Sequence, residues 1–156
     1  MAQSVDEAVR SLRVIVAGLI AGVVAFAILA VIVRVVLPPR GSMPPLVLLG
    51  VLTMFILGSG AAYAVQYQKL VGDLRKRTAE LRQMADPSSV IVGPYRAFAI
   101  IGAGLVEGPS FFALIVYILT GQPLALAAAA LGVILLIVHF PSHAAIRRLA
   151  ERATEP

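Results

Sequence analysis

The sequence predicts an all-α polytopic membrane protein, with four transmembrane helices arranged as two antiparallel hairpins in a single membrane domain. Three observations carry this. The 156-residue chain is 60% hydrophobic, with a mean hydropathy of +0.94 and only 13% charged residues, whereas a soluble domain holds roughly a quarter. Four apolar stretches reach the ~17–25 residues needed to cross a bilayer. Each is separated from the next by a proline- and glycine-rich or charged segment.

The chain contains no cysteine, so disulfides, thiolate chemistry, cysteine-ligated zinc and iron–sulfur clusters are excluded. A net charge of +5 would ordinarily raise nucleic-acid binding. Here the basic residues flank apolar spans, where retention on the cytoplasmic side accounts for them. The bilayer is therefore the expected partner, nucleic acid is not, and no motif calls for a cofactor.

A polar start, in which Ser4 or Asp6 suits an N-cap, leads into a first span over about residues 12–37. Gly18 and Gly22 form a small-xxx-small pair that lets helices approach closely. Ala25-Phe26-Ala27 imitates a signal-peptide cleavage site, but the apolar run continues to Leu37, which favours a retained anchor. Arg34 reads as a snorkelling residue. The proline-dense connection from Pro38 to Pro45 cannot be helical throughout. A second span follows over about 46–68, with Thr53, Gly58, Ser59 and Gly60 forming a block of small residues.

Beyond Gln68 the helix is expected to continue as a cytoplasmic stalk over about 69–85. Asp73 with Arg77 and Lys76 with Glu80 are spaced for a solvated face, or for docking a partner. Asp86-Pro87 and Gly93-Pro94 punctuate the approach to a third span over about 95–120. Gly121-Gln122-Pro123 makes a tight hairpin into a fourth span over about 123–140, and the tail carries Arg147, Arg148 and Arg152. Eleven of the 13 basic residues fall before the first span, between the second and third, or after the fourth. Four spans put those three segments on one face. Both termini are thus expected in the cytoplasm, as in a bacterial-type inner membrane.

The third span holds the candidate site. From Phe98 to Leu119 the only residue charged near neutral pH is Glu107. At ~1.5 Å per residue it lies about 17 Å in from Arg96, near the middle of a ~30 Å hydrocarbon layer. An acid at that depth costs about 2.5–3.5 kcal/mol on insertion scales, so it is a functional candidate. Pro109 has no amide hydrogen for the Leu105 carbonyl. Gly104 and Gly108 remove bulk around the acid. Counting inward from Gln68 puts Leu57 and Gly58 at the same depth, so Ser59 and Thr53 are expected beside Glu107.

Ile101-Gly102-Ala103-Gly104-Leu105-Val106-Glu107, followed by a proline and an apolar run, resembles the second helix of the rotary ATP synthase ring subunit, the proteolipid. The resemblance spans about residues 46–120. It implies that Glu107 binds a proton or Na⁺ for translocation, and that the chain works as a homo-oligomer or as a subunit of a larger membrane complex. Only Gly58 and Gly60 keep the glycine spacing of that subunit's first helix, the central loop is longer, and two further spans flank the hairpin. A different reading of the same residues stays open. A carboxyl in hydrocarbon favours its neutral form, and a neutral Glu107 bonded to a carbonyl, Ser59 or Thr53 would simply lock the bundle of a structural or accessory subunit. Contact with a lipid, a quinone or a partner subunit is a third use for it.

Other features point to structure. His139 and His143 are four apart, but Pro141 intervenes and no third ligand is near, so no metal site is expected. Tyr63, Tyr67, Tyr95 and Tyr117 lie near span ends and read as interface anchors. Ser110 has neither base nor oxyanion donors. No phosphate loop or His-Glu-x-x-His pattern is present, so no enzymatic activity is expected.

Overall fold

The computed structural model describes residues 5–37, 44–77 and 88–154. Ser4, the proline-dense turn between Pro38 and Met43, the stalk beyond Arg77, and the Asp86-Pro87 cap lie outside the described residues. The described chain is all-α. It contains α1 (Val5–Val36), α2 (Pro45–Lys76), α3 (Ser88–Thr120), α4 (Pro123–Val138) and α5 (His143–Thr154). Three of them, α1, α2 and α3, are individually long and apolar enough to cross a membrane.

Local chemistry sets the helix ends. Asp6 and Glu7 occupy the first turn of α1 and Arg34 its last, each complementing the helix dipole. Pro45 opens α2 and Pro123 opens α4, where the missing N–H costs nothing. Gly121 ends α3 with φ +68°, the left-handed conformation that glycine adopts without a Cβ penalty. Its N–H donates to the Tyr117 carbonyl at 2.7 Å. Pro141 then separates α4 from α5, and Ser142 Oγ accepts the Ala145 N–H at 3.2 Å as an N-cap. The α4 and α5 axes differ by 76°. Arg13 Nε ties this corner to α1 by donating to the Pro141 carbonyl at 3.1 Å.

The helix α3 starts seven residues earlier than the expected third span. Pro94 falls inside it, in the second turn, where it leaves the Val90 carbonyl without its helical N–H. α3 is also the hub. α1, α2 and α4 all pack on it, whereas α1 and α2 make little contact with each other. The α3–α4 hairpin therefore packs as a pair, but α1 and α2 do not: each is partnered by α3 instead.

Three apolar clusters stack along the bundle. At one end, Val9 and Leu12 of α1, Leu70 and Leu74 of α2, Ile91 and Tyr95 of α3, and Ile146 and Leu149 of α5 are buried together. The middle is held by Val16, Ala103 and Leu136. At the far end Val23, Ala30, Leu52, Leu114 and Val116 meet Ala125 and Ala129 of α4. The first cluster refines two expectations. The stalk segment is helical to Lys76, and its outer face is solvated, with Lys76 bonded to Asp73 at 3.3 Å. Its inner edge is core rather than stalk. Tyr95, expected as an interface anchor, is buried in that core. Leu74 is 2% exposed, so Leu74→Ala is expected to cost about 2–5 kcal/mol, read as a lower midpoint of denaturant unfolding in micelles.

Candidate functional site

The register of α2 against α3 is set by aromatic residues over glycines. Tyr63 stands over Phe98 with ring centroids 5.1 Å apart, and a Cβ on Gly102 would lie 3.0 Å from its ring. Eight residues along, Phe55 meets Phe112 edge-on at 5.7 Å and lies 3.6 Å from where a Gly108 Cβ would be. Leu57 and Gly58 thus stand level with Glu107, the depth that counting inward along the two spans implies.

Depth and direction are separate matters. The α3 residues that meet α2 are Phe98, Gly102, Gly108 and Phe112. Glu107 belongs to another stripe, one turn from Ala103 on one side and from Phe111 on the other. Ala103 shares a cluster with Val16 of α1. Phe111 packs on Phe26 of α1 at 5.3 Å, with Gly22 beside it. Glu107 therefore lies along the α1 side of α3. It is partly buried and makes no hydrogen bond or ion pair among the described residues.

The four residues expected to form one ion site are accordingly divided. Ser59 and Leu105 line a groove between α2 and α4, together with Gly60 and Pro109; Glu107 does not line it. Thr53 is exposed, and its hydroxyl donates to the Leu49 carbonyl of its own helix at 2.9 Å. The structure brings neither Ser59 nor Thr53 to Glu107. The physical reason is angular: successive residues of a helix differ by about 100°, so matched depth leaves facing undetermined.

The expected packing glycines divide too. Gly22 and Gly108 adjoin aromatic rings of neighbouring helices. A Cβ at Gly18, Gly58, Gly60 or Gly104 would meet nothing within 4 Å, so these four do not mediate contacts within the chain. Two glycines that the sequence pattern did not single out do: Gly102 beneath Tyr63, and Gly132 of α4. A Cβ at Gly132 would collide with Ser110 Oγ and lie 3.1 Å from Ser110 Cβ. Ser110 is buried at this crossing and donates its hydroxyl to the Val106 carbonyl at 2.8 Å. The Ala128…Gly132 spacing, a small-xxx-small pair, was the available signal.

His139 and His143 lie on either side of the α4–α5 corner. His139 Nδ1 is 2.9 Å from the Leu135 carbonyl and its ring meets Tyr63 at 6.0 Å. His143 Nε2 lies 3.6 Å from Asp6 Oδ1. They have different partners and share no site. The tail, read from sequence only as basic, forms the amphipathic helix α5. Ile146 and Leu149, three apart behind the Ser142 cap, were its signature.

Comparisons with protein families, with characterised proteins and with solved structures each find no match for this chain.

Proposed function

We propose that this chain is a four-span integral membrane protein in which Glu107 takes up and releases a proton at mid-membrane, in the manner of a proteolipid. α4 makes the fourth crossing, and the amphipathic α5 turns off it by 76° at the membrane surface. The end bearing most of the basic residues faces the cytoplasm, with both termini and the connection after Arg77. One observation carries the reading: Glu107 lies midway along α3 with no hydrogen-bond or ion-pair partner among the described residues. An acid that cemented helix packing would be bonded across an interface; this one is free to change protonation state. A proton also fits better than Na⁺, which needs several oxygen donors, because Ser59 lines the groove on another side of α3 and Thr53 is bonded within its own helix.

One observation favours a second reading, an accessory subunit of a larger complex or a homo-oligomer. Gly18 and Gly104 present open space, and Gly104 is three residues from Glu107. A helix from another subunit could lie there and bring a polar group to the acid.

Carbodiimide labelling tests the proton reading. Dicyclohexylcarbodiimide adds to a protonated carboxyl in an apolar site, so labelling should map to Glu107, fall as pH rises, and vanish in Glu107→Gln. In proteoliposomes carrying a pH gradient, Glu107→Gln should abolish proton flux. Absence of flux in the native protein, or flux that survives the substitution, refutes proton carriage.

A further inference from the structure

We propose that the groove between α2 and α4 holds one anionic glycerophospholipid, with its phosphate against Arg148 and an acyl chain along α3. The inference rests on α2 and α4 both lying in the bilayer and is independent of what Glu107 does.

α2 and α4 each pack on α3 but make little or no contact with each other, which leaves a strip of α3 uncovered between them. The resulting open groove has a volume of about 770 Å³, within the ~300–1,000 Å³ usual for small-molecule sites. Its floor is Phe98, Gly102, Leu105 and Pro109, and its walls include Ile56 of α2 and Leu131 and Leu135 of α4. Gly60, with nothing within 4 Å of where a Cβ would be, leaves its α2 wall open. A groove lined mostly by apolar side chains along α3 suits a hydrocarbon chain rather than a compact polar ligand.

The ends of the groove differ chemically. Where α5 bends away from α4, the lining gains Tyr63, Tyr67, His139 and Arg148. The two neighbouring arginines of α5 are not equivalent. Arg147 Nε is paired with Glu151 at 3.3 Å, whereas Arg148 makes no hydrogen bond or ion pair among the described residues. Among the described residues no carboxylate lines the groove. An amphipathic helix of this kind lies at headgroup level, so its unpaired guanidinium sits where a lipid phosphate would be. An apolar groove ending in a cation that is unpaired among the described residues, at interfacial depth, is complementary to an acyl chain joined to a phosphodiester. A protein helix seated there would have to supply its own acid to Arg148.

The test uses the full chain in nanodiscs containing equal phosphatidylglycerol and phosphatidylcholine, ejected for native mass spectrometry. One phosphatidylglycerol per chain should be retained about five-fold over phosphatidylcholine, the factor expected of one interfacial arginine. Arg148→Gln should remove that preference and Arg147→Gln should leave it. Gly60→Leu, placed in open space, should lower retention of both lipids without disturbing the fold. The proposal is overturned by equal retention of the two lipids, by equal effects of the two arginine variants, by indifference to Gly60→Leu, or by a second copy or a peptide bound in place of lipid.

Discussion

Gly132→Leu is expected to separate α4 from α3. At this crossing a Cβ on residue 132 would already overlap Ser110 Oγ, and Ser110 is only 2% exposed. Its side chain is too short to swing clear, because its Cβ also stands 3.1 Å from the added atom. Overpacking of this kind costs about 1–3 kcal/mol for a small addition and more for a large one. Gly132→Ala should therefore lose about 1–3 kcal/mol in denaturant unfolding of the micelle-bound protein, and Gly132→Leu should not form the native α3–α4 pair. Propensity alone gives the opposite sign, since alanine favours a helix over glycine by about 1 kcal/mol. Gly60→Ala, made in open space, supplies that control and should be neutral or mildly stabilising. Ser110→Gly combined with Gly132→Ala should recover most of the loss. If Gly132→Ala is as harmless as Gly60→Ala, the close crossing is not present in the folded protein.

Glu107→Leu should improve membrane insertion without loosening the bundle, and the two effects must be measured separately. An acid at the membrane centre costs about 2.5–3.5 kcal/mol on insertion scales, so insertion of the third span should become more favourable by roughly 3 kcal/mol. That change acts on the inserted but unpacked state as well as on the packed one. Helix association responds only to contacts. Interhelical polar bonds in membranes contribute on average about 0.6 kcal/mol and at most about 1.7, and Glu107 makes none among the described residues. Association measured by steric trapping in lipid should thus stay within about 0.5 kcal/mol of native. A loss of more than about 1 kcal/mol, above the ~0.6 kcal/mol average of such bonds, would show that the acid fastens the bundle, which is the accessory-subunit reading.

Insertion assays and packing assays diverge here for the same reason that depth and facing diverged. Hydropathy, charge count and helix punctuation act along one dimension. Pro45, Gly121-Gln122-Pro123 and Pro141-Ser142 each mark a helix boundary, because a missing N–H, a positive φ or a side-chain cap acts on its own few residues. The level of Glu107 against Leu57 and Gly58 was equally legible, being only a count multiplied by the helical rise. The face that Glu107 presents was not. In a soluble helix, apolar periodicity reveals the inner side. In a span such as α3, where Ile100, Ile101, Leu114 and Val116 surround the axis, lipid and protein are alike apolar and the period carries little information.

By itself, then, the sequence determined an all-α protein with helices apolar enough to span a membrane, several of the helix boundaries, and the level of Glu107 against the second helix. Tertiary structure alone decided that α3 is the hub, that α5 folds back on the first turns of α1, and that Ser59 and Glu107 lie on different sides of α3. The physical reason is that helix contacts within an apolar solvent are chosen by close fit, Gly132 against Ser110 and Gly102 beneath Tyr63, and fit exists only once two helices have met.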